Sequence, residues 1–331
     1  SPEEANEALD AAAQGLERSK DLYQQADAGA STNPAILAEY AEVLRYTEDV
    51  DLAAKALARA SELKPKDPDI WLMLGRDLAA IGPDRRTEAI RALTRAAELA
   101  TNRQEARARA ALALQYWRAG LYDLARRQID DIEGELPFEA ALTSAALDAR
   151  SGAMASASAT LDAAGEAPPQ YAAAYTDVLS AALDEFQERR ISFPDTAEQH
   201  AAYGKLLLRT NRVGQSIPPL RRAAKLDRDA SVYWNLLGSA YRMTGNPQLA
   251  VDAYRRSLEA NPDQPRTRQV LEAAREEASA LGQPAEPEQP GPIMRRRGPV
   301  AAPVEVPARG GASPADGRNA TGSQTAGDGE Q

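Results

Sequence analysis

A spacing of apolar, small and large residues that recurs about every 34 positions constrains this chain most. In 231–264, Trp234, Leu237, Gly238 and Tyr241 follow helical spacing, Ala250, Tyr254 and Ser257 form a second set, and Pro262 closes the unit. Gly245-Asn246-Pro247 breaks the two sets as a turn should. Thirty-four residues earlier, His200, Tyr203, Gly204 and Leu207 precede Ser216, Leu220 and Ala223. Near the N-terminus the frame returns as Leu37, Tyr40, Ala41 and Leu44, then Ala53, Leu57 and Ala60, then Pro65. Trp71, Leu74, Gly75 and Leu78 lead to Ala89, Leu93 and Ala96, after two extra residues around Gly82-Pro83-Asp84. Leu112, Ala113 and Tyr116 lead to Ala125, Ile129 and Ile132, then Pro137. A small residue lets two antiparallel helices approach, large ones fill the remaining space, and proline cannot continue a helix. One such hairpin buries too little alone; stacking buries a continuous core.

This pattern resembles the tetratricopeptide repeat family over residues 34–139 and 197–264. The resemblance implies an all-α fold, an α-solenoid of stacked helix hairpins. It also implies a concave groove lined by the first helix of each repeat, receiving a peptide or a partner helix. By matched position, the groove wall comprises Glu42, Tyr46, Arg76, Arg107, Leu114, Trp117 and Arg118 in the N-terminal lobe. Lys205, Arg209, Asn235, Ser239, Arg242 and Met243 take these places in the C-terminal lobe. Tyr116 takes the core slot, so Trp117 is either a groove anchor or packs against a neighbouring repeat. The cationic bias of the groove set points to an acidic or carboxylate-bearing partner. The carboxylate clamp of the chaperone-binding subgroup is not reproduced in order by Lys205 and Asn235.

The remaining segments depart from the frame. Residues 1–33 read as a degenerate repeat, with Leu9, Ala13 and Leu16 on one face and Ser19, Tyr23 and Ala26 in a second helix. Residues 140–196 read as a degenerate helical region. In it, 138–171 keeps Gly152, Ala157, Leu161, Ala164 and Pro169 in place, and one helix follows over 170–190 with Tyr171, Tyr175, Leu179 and Leu183 on one face. No second helix is expected before 197, so the solenoid is expected to bend or break there into two lobes. Residues 265–281 read as a capping helix, with Val270, Leu271 and Ala274 inward. From Gly282 to Gln331 there are 8 Pro and 9 Gly and few large apolar side chains, the composition of a disordered tail. Arg295-Arg296-Arg297 is its basic run, and Asn319-Ala320-Thr321 matches a glycosylation sequon.

Composition narrows the chemistry. With 39 Lys and Arg against 49 Asp and Glu in 331 residues, the net charge is -10, which disfavours nucleic acid and anionic membranes. There is no cysteine and one histidine, His200, so thiolate sites, disulfides and His clusters within one chain are excluded. His200 falls in a core slot of its repeat. Asp130-Asp131 and Glu276-Glu277 read as solvated helix faces, as do Arg126-Arg127, Arg221-Arg222 and Arg255-Arg256 with Glu partners nearby. No phosphate loop, zinc-protease or nucleophile-elbow motif occurs. The chain reads as a non-enzyme without cofactor or metal, and no apolar run reaches a membrane-spanning length. The start at Ser1 without an initiator Met leans towards a processed, periplasmic chain over a cytoplasmic one. The Ala/Arg-rich composition looks like that of a GC-rich bacterium. Two function classes remain: a scaffold holding a partner in bacterial envelope assembly, secretion or pilus biogenesis, and a regulatory or polysaccharide-handling module of a glycosyltransferase or polymer-export system.

Overall fold

The computed structural model describes residues 2–282; the expectations for the tail, its Arg295-Arg296-Arg297 run and its Asn319 sequon lie outside the described residues. Fifteen α-helices and no strand occur among the described residues. They are α1 (Pro2–Gln25), α2 (Pro34–Tyr46), α3 (Val50–Leu63), α4 (Pro68–Ile81), α5 (Arg86–Leu99), α6 (Asn102–Arg118), α7 (Tyr122–Asp130) and α8 (Phe138–Ser151). There follow α9 (Met154–Ala164), α10 (Ala172–Glu188), α11 (Ala197–Arg209), α12 (Val213–Leu226), α13 (Ser231–Met243), α14 (Pro247–Ala260) and α15 (Pro265–Ala280). Six hairpins, α2–α3, α4–α5, α6–α7, α8–α9, α11–α12 and α13–α14, stack in order.

One turn closes the first helix of five hairpins. Asp49, Leu121, Ala153, Arg212 and Asn246 donate backbone bonds of 2.8–2.9 Å to the carbonyls of Leu44, Tyr116, Asp148, Leu207 and Tyr241. The residue before each donor, Glu48, Gly120, Gly152, Asn211 or Gly245, has positive φ. That is the helix-terminating pattern in which a left-handed residue returns the chain to the last helical carbonyls. It also fixes the register of α8, which sequence left vague: Asp148 stands where Tyr116 and Tyr241 stand. Close approach follows at three small residues. A Cβ on Gly75 or Gly204 would lie 2.5 Å from Leu93 or Leu220, and one on Gly238 2.7 Å from the Tyr254 ring. Trp71 and Trp234 each donate an indole N–H to a carbonyl six residues upstream, of Pro65 and Arg228, at 3.0 and 2.9 Å.

Three expectations change. The N-terminal 1–33 region holds one continuous helix, α1, because nothing between Pro2 and Gln25 breaks it; Ala13 is exposed, while Tyr23 packs on Tyr40. The chain does not break into two lobes. Helix α9 packs directly on α11, as α3 does on α4 and α12 on α13. One hydrophobic cluster runs from Ala113 through Leu142, Leu161 and Leu183 to Leu207. Of the paired arginines, Arg126 and Arg221 bind the next repeat and Arg256 a ring of its own hairpin, rather than nearby glutamates. Arg126 reaches Asp148 at 2.5 Å, Arg221 the Tyr241 hydroxyl at 2.8 Å, and Arg256 lies 4.9 Å over the Trp234 ring.

Candidate functional site

The face built by the first helices is open at its ends and closed in its middle. Glu42, Arg76, Leu114, Ala146, Lys205 and Ser239 hold one place in the frame. Glu42 is exposed and Arg76 half-buried, Leu114 and Ala146 are buried, and Lys205 and Ser239 are again half-buried. One turn on, Trp117 and Ala149 are buried whereas Arg242 is exposed. Ten of the 14 residues of α8 are buried, Glu139, Leu142, Ala146 and Ala149 among them. Small side chains at nearly every position let neighbours close on this helix from all sides.

The element that closes the middle is α10. It lies along α8 and runs in the same direction. The Tyr171 and Tyr175 rings stand 5.6 and 6.2 Å from Phe138 at the start of α8, and Glu185 reaches Arg150 at its end, 2.5 Å away. Glu185 also accepts a hydrogen bond from the Tyr122 hydroxyl, and Arg150 lies 3.7 Å over the Tyr122 ring. Burial, then the Glu185 carboxylate, raises the Tyr122 pKa.

The predicted groove residues therefore divide. Tyr46 and Met243 are open, at 64% and 62% exposure. Leu114 and Trp117 are not on an open wall: they are 3% and 7% exposed and belong to the central core. Tyr116, expected in the core slot, is only partly buried, and Trp117 instead meets Tyr122 edge to face at 6.2 Å. The Trp117 Nε1 is buried with no hydrogen-bond partner among the described residues. Several groove cations are neutralised within the chain. Arg76 crosses from α4 to Glu139 of α8 at 2.9 Å, Lys205 and Arg209 share Asp162 at 2.5 and 2.6 Å, and Arg242 holds Glu277 at 2.7 Å. Asn235 donates to Gln264, and Ser239 pairs with the Tyr254 hydroxyl. Arg107 and Arg118 have no hydrogen-bonded or ion-pair partner among the described residues.

Electrostatics follow the enclosure. Burial pushes the Glu139 carboxyl up, opposed by Arg76, and also pushes Asp77 up, opposed by Arg45 at 2.7 Å. Burial lowers the Arg118 guanidinium, with Arg86 adding to the effect. His200 is half-buried, not fully in the core; its Nε2 meets Asp195 at 2.8 Å, and Arg222 binds the same carboxylate. Arg222, then His200, holds Asp195 well below the usual carboxylate range. No group of three or more His, Asp or Glu among the described residues is placed to hold a metal ion. No helix among them is long and apolar enough to cross a membrane.

Sequence reasoning passed over Arg103. It lies exposed in the first turn of α6, one turn before Arg107, and has no ion-pair partner among the described residues. Both line an open cleft of about 1300 Å³ between the start of α6, the 131–137 loop and the end of α9, which also takes in Phe138 and the carboxylates Glu105, Asp131, Glu133 and Glu135, the first two paired with Arg109. The spacing of Arg103 and Arg107 on one helix face was the available signal.

Helix hairpins stacked in order, with one turn and one packing frame, define an α-solenoid of the protein-binding kind. The chain is a tetratricopeptide repeat protein: family models described as tetratricopeptide repeat match residues 34–77 and 202–265. No curated protein matches the chain. Among solved structures, one from "APC/C hetero-tetramer Cut9-Hcn1" is 15% identical with a TM-score of 0.40, covering 79% of this chain and 46% of that one. This chain thus spans under half the length of that relative. A tetratricopeptide repeat protein from Parabacteroides merdae is 12% identical with a TM-score of 0.40, covering 82% and 96%. YrrB, titled a TPR protein with an unusual peptide-binding site, is 14% identical with a TM-score of 0.29, covering 66% and 99%. Repeats of this class make the chain a protein–protein interaction scaffold.

Proposed function

We propose that the chain is a non-enzymatic scaffold that holds an acidic peptide or protein segment in the open cleft beside the start of α6. The observation that carries this is that Arg103 and Arg107 lie beside the open cleft with no ion-pair partner among the described residues, whereas Arg76, Lys205, Arg209 and Arg242 are paired within the chain. Charge complementarity then supplies orientation and on-rate. Tyr46 offers an exposed aromatic on the same row of first helices. A setting in bacterial envelope assembly, secretion or pilus biogenesis fits this reading on composition alone, and fractionation of the native cell tests it.

The binding test uses a fluorescent ten-residue glutamate peptide and the full chain. Binding should weaken with added salt and fall at least ten-fold in Arg103→Glu/Arg107→Glu, with helical content unchanged. Equal binding by wild type and the double variant would contradict the reading.

A further inference from the structure

Helix α10 is a first helix that lacks its second. It ends as the others do, with Arg190 at positive φ and the Ile191 N–H turned back to the Phe186 carbonyl. The chain then runs without helix through 191–196 into α11. Every complete hairpin packs its two helices against each other; α10 has α8 as its one extensive helix neighbour, and its last turns also meet α11 at Tyr203, through Phe186 and Gln187, and Arg212 through Asp184. Its apolar stripe is Val178, Leu179, Ala182, Leu183 and Phe186, and its first turn is exposed.

The surface beneath it is built like a receptor groove. The floor is Leu114, Trp117, Leu142, Ala146 and Ala149, apolar and closed to solvent. The rim is cationic, and α10 brings acids to it. Arg150 takes Glu185, Arg212 takes Asp184 at 2.5 Å, and Asp177 raises the Arg118 pKa against the larger effect of burial. The Asp184 pair is solvent-facing, at 52% exposure of the aspartate, so it contributes little hold. Trp117, in the same cluster as the α10 stripe, keeps a buried indole N–H with no hydrogen-bond partner among the described residues. Gly165, Pro168 and Pro169 precede α10, and Pro194 follows it. A 3-10 turn at Pro169–Tyr171 leads into α10, and non-helical backbone at 165–168 and 191–196 tethers the two to their neighbours.

We infer that α10 is a displaceable in-cis occupant of the first-helix groove, and that the floor beneath it takes a partner's acidic amphipathic helix in its place. This rests on the reading of the chain as a scaffold for protein partners and says what chemistry the middle of its first-helix face accepts. The tether gives α10 a high effective concentration, so a free helix must compete against an intramolecular rival. Apparent affinity is then lowered by the fraction of chains in which α10 is released. Elements that are not closed by a hairpin partner are among those that open locally before the whole molecule unfolds.

The absence of cysteine makes a single introduced thiol a clean reporter. Ala146→Cys places it in the floor, and Ala60→Cys places it in a fully buried site in α3, away from α10. Under native conditions the Ala146→Cys thiol should react with a maleimide at least ten-fold faster than the Ala60→Cys thiol. An excess of synthetic peptide carrying residues 172–190 should slow it several-fold. The same peptide with Leu179→Asp and Leu183→Asp should not. Ala149→Cys repeats the reading should Ala146→Cys fail to keep wild-type helical content. Equal rates, or a fast thiol that the peptide does not protect, would overturn the proposal. Neither outcome touches capture at Arg103 and Arg107, which the glutamate peptide measures separately.

Discussion

Arg150 of α8 donates to Glu185 of α10 across 2.5 Å, and with the Tyr122 hydroxyl it fixes the far end of a helix that has no hairpin partner. Ion pairs between first helices recur at Arg45–Asp77 and Arg76–Glu139; here the pair holds a helix that has no second helix of its own. It accounts for the burial of Ala146 and Ala149, which would otherwise stand on the groove wall.

Trp117 is therefore a core residue. Trp117→Ala should lower unfolding stability by about 3–5 kcal/mol, as should Trp234→Ala, because both truncate a buried indole. Urea titration followed by circular dichroism checks it. A loss below about 0.5 kcal/mol for Trp117→Ala would return it to the surface.

Helix–helix approach makes three glycines non-interchangeable with a fourth. Gly238→Ala would place a methyl against the Tyr254 ring and should cost about 1–3 kcal/mol. Gly214→Ala, in α12 with open space around its Cβ, should be stabilising by about 0.5–1 kcal/mol. Thermal unfolding of the two variants side by side separates packing from helix propensity.

The frame was readable because each of its positions answers to one local demand. Gly75, Gly204 and Gly238 meet a neighbouring helix at contact distance, and both Pro65 and Pro262 stand just past a second helix, as the spacing implied. The position of α10 was not readable. Its stripe of Leu179 and Leu183 says that it is half-buried but not against what, and the floor it covers is spread over α6 and α8. Leu114 and Trp117 were placed by matching them to open repeats, and the matching carries no information about an extra helix lying across them. The cation pairs failed to show for a similar reason: Arg76 and Glu139 are 63 residues apart.

Glu139 gives a pH signature. Burial raises its carboxyl above the ordinary range, so between the unfolded and folded values the native state keeps a proton that the unfolded chain releases. This contribution to stability is largest below the unfolded value and declines as pH rises through the folded one. Glu139→Gln imitates the protonated form and leaves Arg76 half-solvated. Wild type should therefore gain stability relative to Glu139→Gln as pH falls from 7 to 4. A difference that is flat with pH, measured by urea titration at each pH, would contradict the assignment.

Helix α10 fills the middle of the first-helix face and, on this reading, is less firmly held than the hairpin it covers. Hydrogen exchange on the full chain, read peptide by peptide, measures this most directly. Amides of 178–188 should exchange at least ten-fold faster than those of 140–149 in α8, and adding the 172–190 peptide should slow exchange across 140–149. Protection of α10 equal to that of α8, unchanged by the peptide, would make α10 a permanent part of the core and contradict the account.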